Sequence, residues 1–110
     1  MYRDGNDSIN LHSDSHIAFG LLPTITVLSF GDARNIYFKR RIFDIKNPRS
    51  IILDKENEDL NQTFNLEHGS CLIMAGATQK YFAHEIPKDD KIRGHRYSLS
   101  FRNHILSSTE

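Results

Sequence analysis

Ile25-Thr26-Val27-Leu28-Ser29-Phe30 leads into the turn Gly31-Asp32, and Asn35-Ile36-Tyr37-Phe38-Lys39-Arg40-Arg41-Ile42-Phe43 follows. Both runs are rich in β-branched and aromatic residues. The second alternates Ile36, Phe38 and Arg40 against Tyr37, Lys39 and Arg41, the two-residue period of a strand. Working outward, Ser50-Ile51-Ile52-Leu53, Cys71-Leu72-Ile73-Met74 and His95 to Arg102 have the same character. Turn signals separate them: Asp4-Gly5-Asn6-Asp7, Asn47-Pro48, His68-Gly69 and Pro87-Lys88-Asp89-Asp90. Short strands punctuated by turns predict an all-β sandwich or barrel. No stretch holds a 3.6-residue period, and the acidic segment from Asp54 to Asn61 is expected to be a mobile hairpin loop.

The chain has 110 residues, room for one domain and one core. No apolar run approaches the roughly 18 residues of a membrane span, and the start, MYRDGNDSIN, has no apolar signal-peptide region. A lone cysteine, Cys71, excludes an internal disulfide and points to an intracellular setting, nucleus or cytoplasm undecided. Cys71 and Met74 read as core residues. Fourteen basic and fourteen acidic residues cancel, so net charge gives no argument for nucleic acid. The densest basic cluster, Lys39-Arg40-Arg41, reads most simply as a solvated strand end or turn. His68, His95 and His104 read as turn or surface histidines.

Leu11-His12-Ser13-Asp14 sets an imidazole and a carboxylate two residues apart, on one face of an extended segment. Together with a distant histidine they would form a facial triad, which leaves positions on iron(II) open for a bidentate cosubstrate and dioxygen. His84, in Tyr81-Phe82-Ala83-His84-Glu85-Ile86-Pro87, is the candidate. In Arg96-Tyr97-Ser98-Leu99-Ser100-Phe101-Arg102, alternation puts Arg96, Ser98, Ser100 and Arg102 on one face. The two arginine Cα atoms are then roughly 20 Å apart. Side chains leaning inward would leave a gap suited to a small dicarboxylate. The plainer alternative is a strand with its polar side turned to solvent.

H-x-D, a distant histidine and R-x-x-x-x-x-R, in that order, resemble the layout of the AlkB family. Tyr2-Arg3-Asp4-Gly5 resembles that family's tyrosine-turn segment, and Pro23 to Gly31 its proline-led strand ending in Ser-x-Gly. His68-Gly69-Ser70-Cys71-Leu72-Ile73-Met74 resembles its glycine-serine strand, and His84-Glu85-Ile86-Pro87 its distal histidine with a following proline. The likeness runs from Tyr2 to about Asn103. It implies a double-stranded β-helix, a jelly-roll variant, with residues 1–110 forming an Fe(II)/2-oxoglutarate dioxygenase domain. The expected domain is incomplete at its N-terminus, a fragment lacking the family's substrate lid.

Carried over by position, the resemblance makes His12, Asp14 and His84 the iron ligands. It makes Tyr2, Arg96 and Arg102 the 2-oxoglutarate residues, with Arg96 on the distal carboxylate and Arg102 also near the substrate. Gly69 would permit the turn into the following strand. The implied cofactors are Fe(II) and 2-oxoglutarate, with dioxygen as co-reactant. The implied activity is oxidative demethylation of N-alkylated bases in DNA or RNA, as in alkylation repair. The alternative is the same chemistry on a protein, lipid or small molecule. No membrane and no obligate protein partner is expected. Where the family often has an acid two residues after the aspartate, this chain has His16, either a surface histidine or a substrate contact that would alter base preference.

Overall fold

The computed structural model describes residues 1–13, 24–47, 50–92 and 94–102. Among the described residues, eight strands lie in chain order: β1 (Ile9–His12), β2 (Ile25–Gly31), β3 (Arg34–Ile42), β4 (Ile52–Leu53), β5 (Gln62–Leu66), β6 (Cys71–Met74), β7 (Phe82–Ile86) and β8 (Arg96–Phe101). They form two sheets with antiparallel pairing throughout. One runs β1-β7-β3-β4 with β5 also on β3; the other runs β6-β2-β8. Consecutive strands mostly fall in different places, as in a double-stranded β-helix, the all-β jelly-roll variant expected. No helix among the described residues is long and apolar enough to cross a membrane.

The sheets face one another over a core of Tyr2, Ile25, Ile36, Phe38, Leu66, Met74 and Ile86, with Val27, Leu72 and Phe82 packed against it. Alternation accounts for this set: Ile25, Val27 and Ser29 leave β2 on one side, and Phe82, His84 and Ile86 leave β7 on one side. On β8 the alternation runs opposite to the solvent-facing polar strand considered above. Arg96 is 1% exposed, while Tyr97, Leu99 and Phe101 are 52%, 53% and 57% exposed. The polar face of β8 starts inside the molecule, and its apolar face looks outward.

Three local expectations are corrected. The segment from Asp54 to Asn61 is no mobile hairpin loop. It contains a 3-10 helix, Lys55–Leu60, along one edge of β3. There the Asp54 N–H donates to the Arg40 carbonyl (2.9 Å), and the Arg40 N–H donates to Asn61 Oδ1 (2.8 Å). These bonds stitch β4 and β5 to the same strand edge, so the polar residues between them serve the ladder. Cys71 is exposed rather than in the core, since it shares the outer face of β6 with Ile73 while Met74 points inward. Lys39-Arg40-Arg41 is neither a turn nor a solvated end. All three lie within β3: Lys39 Nζ pairs with Glu85 Oε1 (3.0 Å), Arg40 Nη2 with Asp54 Oδ2 (3.6 Å), and Arg41 is buried. A one-turn helix, Thr78–Tyr81, precedes β7.

Candidate functional site

The first half of the site comes from β1 and β7. Their register pairs Ile9 with Ile86 but His12 with His84, so one extra residue is accommodated on β1 between these points. Bulges of this kind re-aim side chains. An unbroken register from the Ile9–Ile86 pair would set Leu11 opposite His84; the irregularity brings His12 there instead. The two rings lie 4.4 Å apart between centroids, tilted by 57°. The Asn10 carbonyl oxygen lies 2.7 Å from His12 Nδ1. A carbonyl can only accept, so Nδ1 is the donor in this bond, and a histidine held in this way turns Nε2 outward, the orientation common in metal-binding histidines. His84 is buried, and its ring rests 5.6 Å from that of Phe38.

Asp14, His16 and His104 lie outside the described residues. Among the described residues no third histidine, cysteine or carboxylate joins His12 and His84. Next to His12, Ser13 Oγ donates to the Phe82 carbonyl (2.8 Å), a second tie between this segment and β7.

The second half centres on Tyr2 and Arg96. Their backbones form an isolated antiparallel bridge, with each N–H donating to the other's carbonyl at 2.7 Å. Gly5 closes the turn behind Tyr2. Its N–H donates to the Ile92 carbonyl and its carbonyl accepts from Asp89 N–H, and a Cβ there would fall on the Asp89 carbonyl. Only glycine permits that approach. The Arg96 and Arg34 guanidinium carbons lie 4.9 and 5.2 Å from the Tyr2 ring centroid, within cation–π range.

These two buried arginines differ in how they are satisfied. Arg34 donates to three backbone carbonyls, of Asp4 (3.2 Å), Asp7 (2.9 Å) and Pro87 (2.7 Å), and so ties the turn before β1 to the end of β7. Arg96 donates from Nη2 to Ser29 Oγ (2.8 Å), while its Nε and Nη1 are buried without a hydrogen-bond partner. The Tyr2 hydroxyl is likewise buried and meets no partner at hydrogen-bond geometry.

Burial raises the Tyr2 phenol above its ordinary pKa; the Arg96 and Arg34 charges and the closeness of the Arg96 guanidinium offset part of this. Burial also lowers the pKa of Arg96, with Tyr2 opposing that shift and Arg34 adding to it. Buried polar atoms are nearly always paired. Three orphan donors on two adjacent side chains, with a buried positive charge between them, constitute a demand for an acceptor with negative charge. A carboxylate meets that demand.

Arg102 lies apart from Tyr2 and Arg96. It follows the end of β8, is exposed, and borders a shallow depression with Thr24, Thr26, Ser100 and Phe101. The structure thus brings together His12 with His84, and Tyr2 with Arg96, and leaves Arg102 at the far end of the strand. Sequence reasoning missed Arg34 and Ser29. Alternation with Ile25 and Val27 marks Ser29 as inward-facing, but only the fold reveals what it meets. The turn glycine Gly69 has a φ of +78°, as its expected role required.

This geometry agrees with comparison to known proteins. The family model for the 2OG-Fe(II) oxygenase superfamily matches residues 1–102. The chain is 35% identical over 102 residues to the rat alpha-ketoglutarate-dependent dioxygenase alkB homolog 3, covering 93% of this chain and 32% of that protein. It is 33% identical to the human protein of the same name, over 93% of this chain and 34% of that one. It is 30% identical over 109 residues to the DNA oxidative demethylase ALKBH2 of Arabidopsis thaliana, covering 92% of this chain and 35% of that protein. The chain therefore spans about a third of the length of the curated relatives it matches. The match over residues 1–102, on an all-β double-stranded β-helix, means that the chain belongs to the 2OG-Fe(II) oxygenase superfamily.

Proposed function

We propose that the protein carrying this chain is an iron(II)- and 2-oxoglutarate-dependent dioxygenase that demethylates N-alkylated bases in DNA or RNA. The observation that carries the reading is the pairing of His12 with His84, rings 4.4 Å apart, on strands in a bulged register. Under this reading His12, Asp14 and His84 hold the metal, with His12 binding through Nε2 because the Asn10 carbonyl occupies Nδ1. The donor set, two imidazoles and a carboxylate, suits iron(II) with positions left open.

The cosubstrate side follows from the orphan donors. Arg96 Nε and Nη1 and the Tyr2 hydroxyl are available to the distal carboxylate of 2-oxoglutarate, a better acceptor than water for groups that are already desolvated. With its phenol pKa raised, Tyr2 stays a protonated donor throughout the neutral range. Arg102, at the open end of β8, is assigned to the keto-acid end and the substrate, and His16 to a substrate contact. When bound, the iron with 2-oxoglutarate and dioxygen supplies the oxidising power: the N-methyl carbon is hydroxylated and leaves as formaldehyde, and the cosubstrate leaves as succinate and carbon dioxide.

Nucleic acid as substrate rests on a relative's name, the DNA oxidative demethylase ALKBH2 of Arabidopsis thaliana. A base edge must be extruded from the stack to reach such a site. Lys39 and Arg40 are engaged with acids of this chain and Arg41 is buried, so Lys39-Arg40-Arg41 is not an open basic cluster for phosphates. That observation favours, as second reading, the same chemistry on a protein, lipid or small molecule.

The test is formaldehyde and succinate release with methylated single- and double-stranded oligonucleotides, with Asp14→Ala as control. Equal yields of both products, abolished in the control, support the proposal. Succinate release that no methylated oligonucleotide stimulates would remove the nucleic-acid assignment while leaving the oxygenase.

A further inference from the structure

The Arg96 side chain has three restraints in the structure: burial, the Tyr2 ring beneath its guanidinium at 4.9 Å, and one hydrogen bond from Nη2 to Ser29 Oγ at 2.8 Å. Burial and stacking set the plane of the guanidinium, and its tether through Nε limits how far it can swing within that plane. The Ser29 bond fixes the remaining swing by holding Nη2, and so sets where Nη1 and Nε point. Ser29 is itself immobilised through its backbone. Its N–H donates to the Ser70 carbonyl (3.0 Å) and its carbonyl accepts from the Gly69 N–H (2.7 Å). The residue is 1% exposed. A chain of contacts therefore runs from the glycine turn, whose φ of +78° only glycine adopts readily, through Ser29 to Arg96.

We propose that Ser29 is a positioning residue that fixes the rotation of the Arg96 guanidinium and thereby sets the length of dicarboxylic acid the pocket accepts. The proposal rests on the reading that Arg96 takes the distal carboxylate. A guanidinium held by stacking and one side-chain bond presents its free donors in one orientation, whereas one held by stacking alone follows the ligand. The first arrangement discriminates by length and the second does not, because preorganisation is what converts a wrong fit into a loss of affinity.

A serine that merely satisfied a buried arginine would affect stability and leave this discrimination alone. The diagnostic quantity is thus the ratio of dissociation constants for 2-oxoglutarate and for 2-oxoadipate, which is one methylene longer. Both are measured calorimetrically with Fe(II) under anaerobic conditions on the full chain, so that no turnover is needed. Ser29→Ala is expected to weaken 2-oxoglutarate on the order of tenfold, the worth of one charge-assisted hydrogen bond, and 2-oxoadipate much less, so the ratio collapses. Ser29→Thr keeps the hydroxyl, suits a strand and should preserve the ratio.

Ser29→Cys covers the case in which the alanine variant does not fold. It keeps the volume but accepts weakly, and should lose the ratio as alanine does. An unchanged ratio in Ser29→Ala or Ser29→Cys overturns the proposal. Arg96→Ala separates this from failure of the underlying reading: if that variant binds both acids as the unmodified chain does, Arg96 is not the carboxylate anchor at all. If it loses both while the Ser29 variants keep the ratio, the anchor stands and the positioning role falls.

Discussion

Replacing Tyr2 with Phe should have effects of opposite sign on the free and the ligand-bound protein. The Tyr2 hydroxyl is buried and has no hydrogen-bond partner, although the side chain belongs to the core and two guanidiniums lie over its ring. An unsatisfied buried polar group costs about 1–3 kcal/mol. Removing it leaves the ring, its packing and most of the cation–π attraction in place. The ligand-free chain should therefore be as stable as the unmodified one or gain about 1 kcal/mol, a rise of about 4 °C in Tm for a domain of this size. With 2-oxoglutarate the sign reverses. At a concentration 100 times Kd, a ligand stabilises the folded state by about 2.7 kcal/mol; a tenfold weaker Kd cuts that to about 1.4 kcal/mol. The assay is thermal unfolding with Fe(II), under anaerobic conditions, with and without 2-oxoglutarate. A Tyr2→Phe chain that is destabilised by more than 1 kcal/mol without ligand, yet shows the full ligand-induced shift, would refute the claim that this hydroxyl awaits the cosubstrate.

Arg96→Ala should raise KM for 2-oxoglutarate by about 30- to 1000-fold, since it breaks a charge-assisted contact, with rate recovered at saturating cosubstrate, and Arg96→Lys should restore little. Arg102→Ala should lower kcat and release succinate in excess of formaldehyde; identical kinetics for Arg96→Ala and Arg102→Ala would end the division of roles. Arg34→Ala, which strips three backbone carbonyls of their donor, should lower stability by roughly 3 kcal/mol by denaturant unfolding, and 2-oxoglutarate affinity per folded molecule should hold if Arg34 is purely structural. Because burial raises the Tyr2 pKa, the unfolded chain loses that proton first, so this group makes stability fall as pH climbs above about 10; the alkaline slope should be shallower in Tyr2→Phe, and an unchanged slope would count against Tyr2 as its source.

The longer strands are legible in sequence because β-branched and aromatic residues cluster between turn signals; β6 falls on Cys71–Met74, as the residues alone indicate. β5, Gln62–Leu66, is not legible, since polar residues fill it and only Leu66 is buried. The 3-10 helix over Lys55–Leu60 is invisible for a related reason: its polar residues read as solvent-exposed loop, and its role depends on the Arg40 backbone groups of another strand. On β8 the alternation was legible but not its sense, because a strand of two amphipathic faces does not say which is inside. Arg96 is buried there because Tyr2 and Ser29 accommodate it. Likewise H-x-D and a distant histidine were visible as residue types, but the register irregularity that sets His12 rather than Leu11 against His84 is a property of pairing. Lys39, Arg40 and Arg41 looked like surface charge until their partners, far away in sequence, came into place.

In the proposed site, His12, Asp14 and His84 hold a metal whose affinity is linked to a dicarboxylic acid held by Arg96 and Tyr2. The most direct measurement is anaerobic titration of the full chain with Fe(II), with and without 2-oxoglutarate. One iron per chain is expected, with tighter binding in the presence of the acid and loss of the site in Asp14→Ala and His84→Ala. Iron binding in those variants equal to that of the unmodified chain, or an affinity indifferent to 2-oxoglutarate, would contradict it.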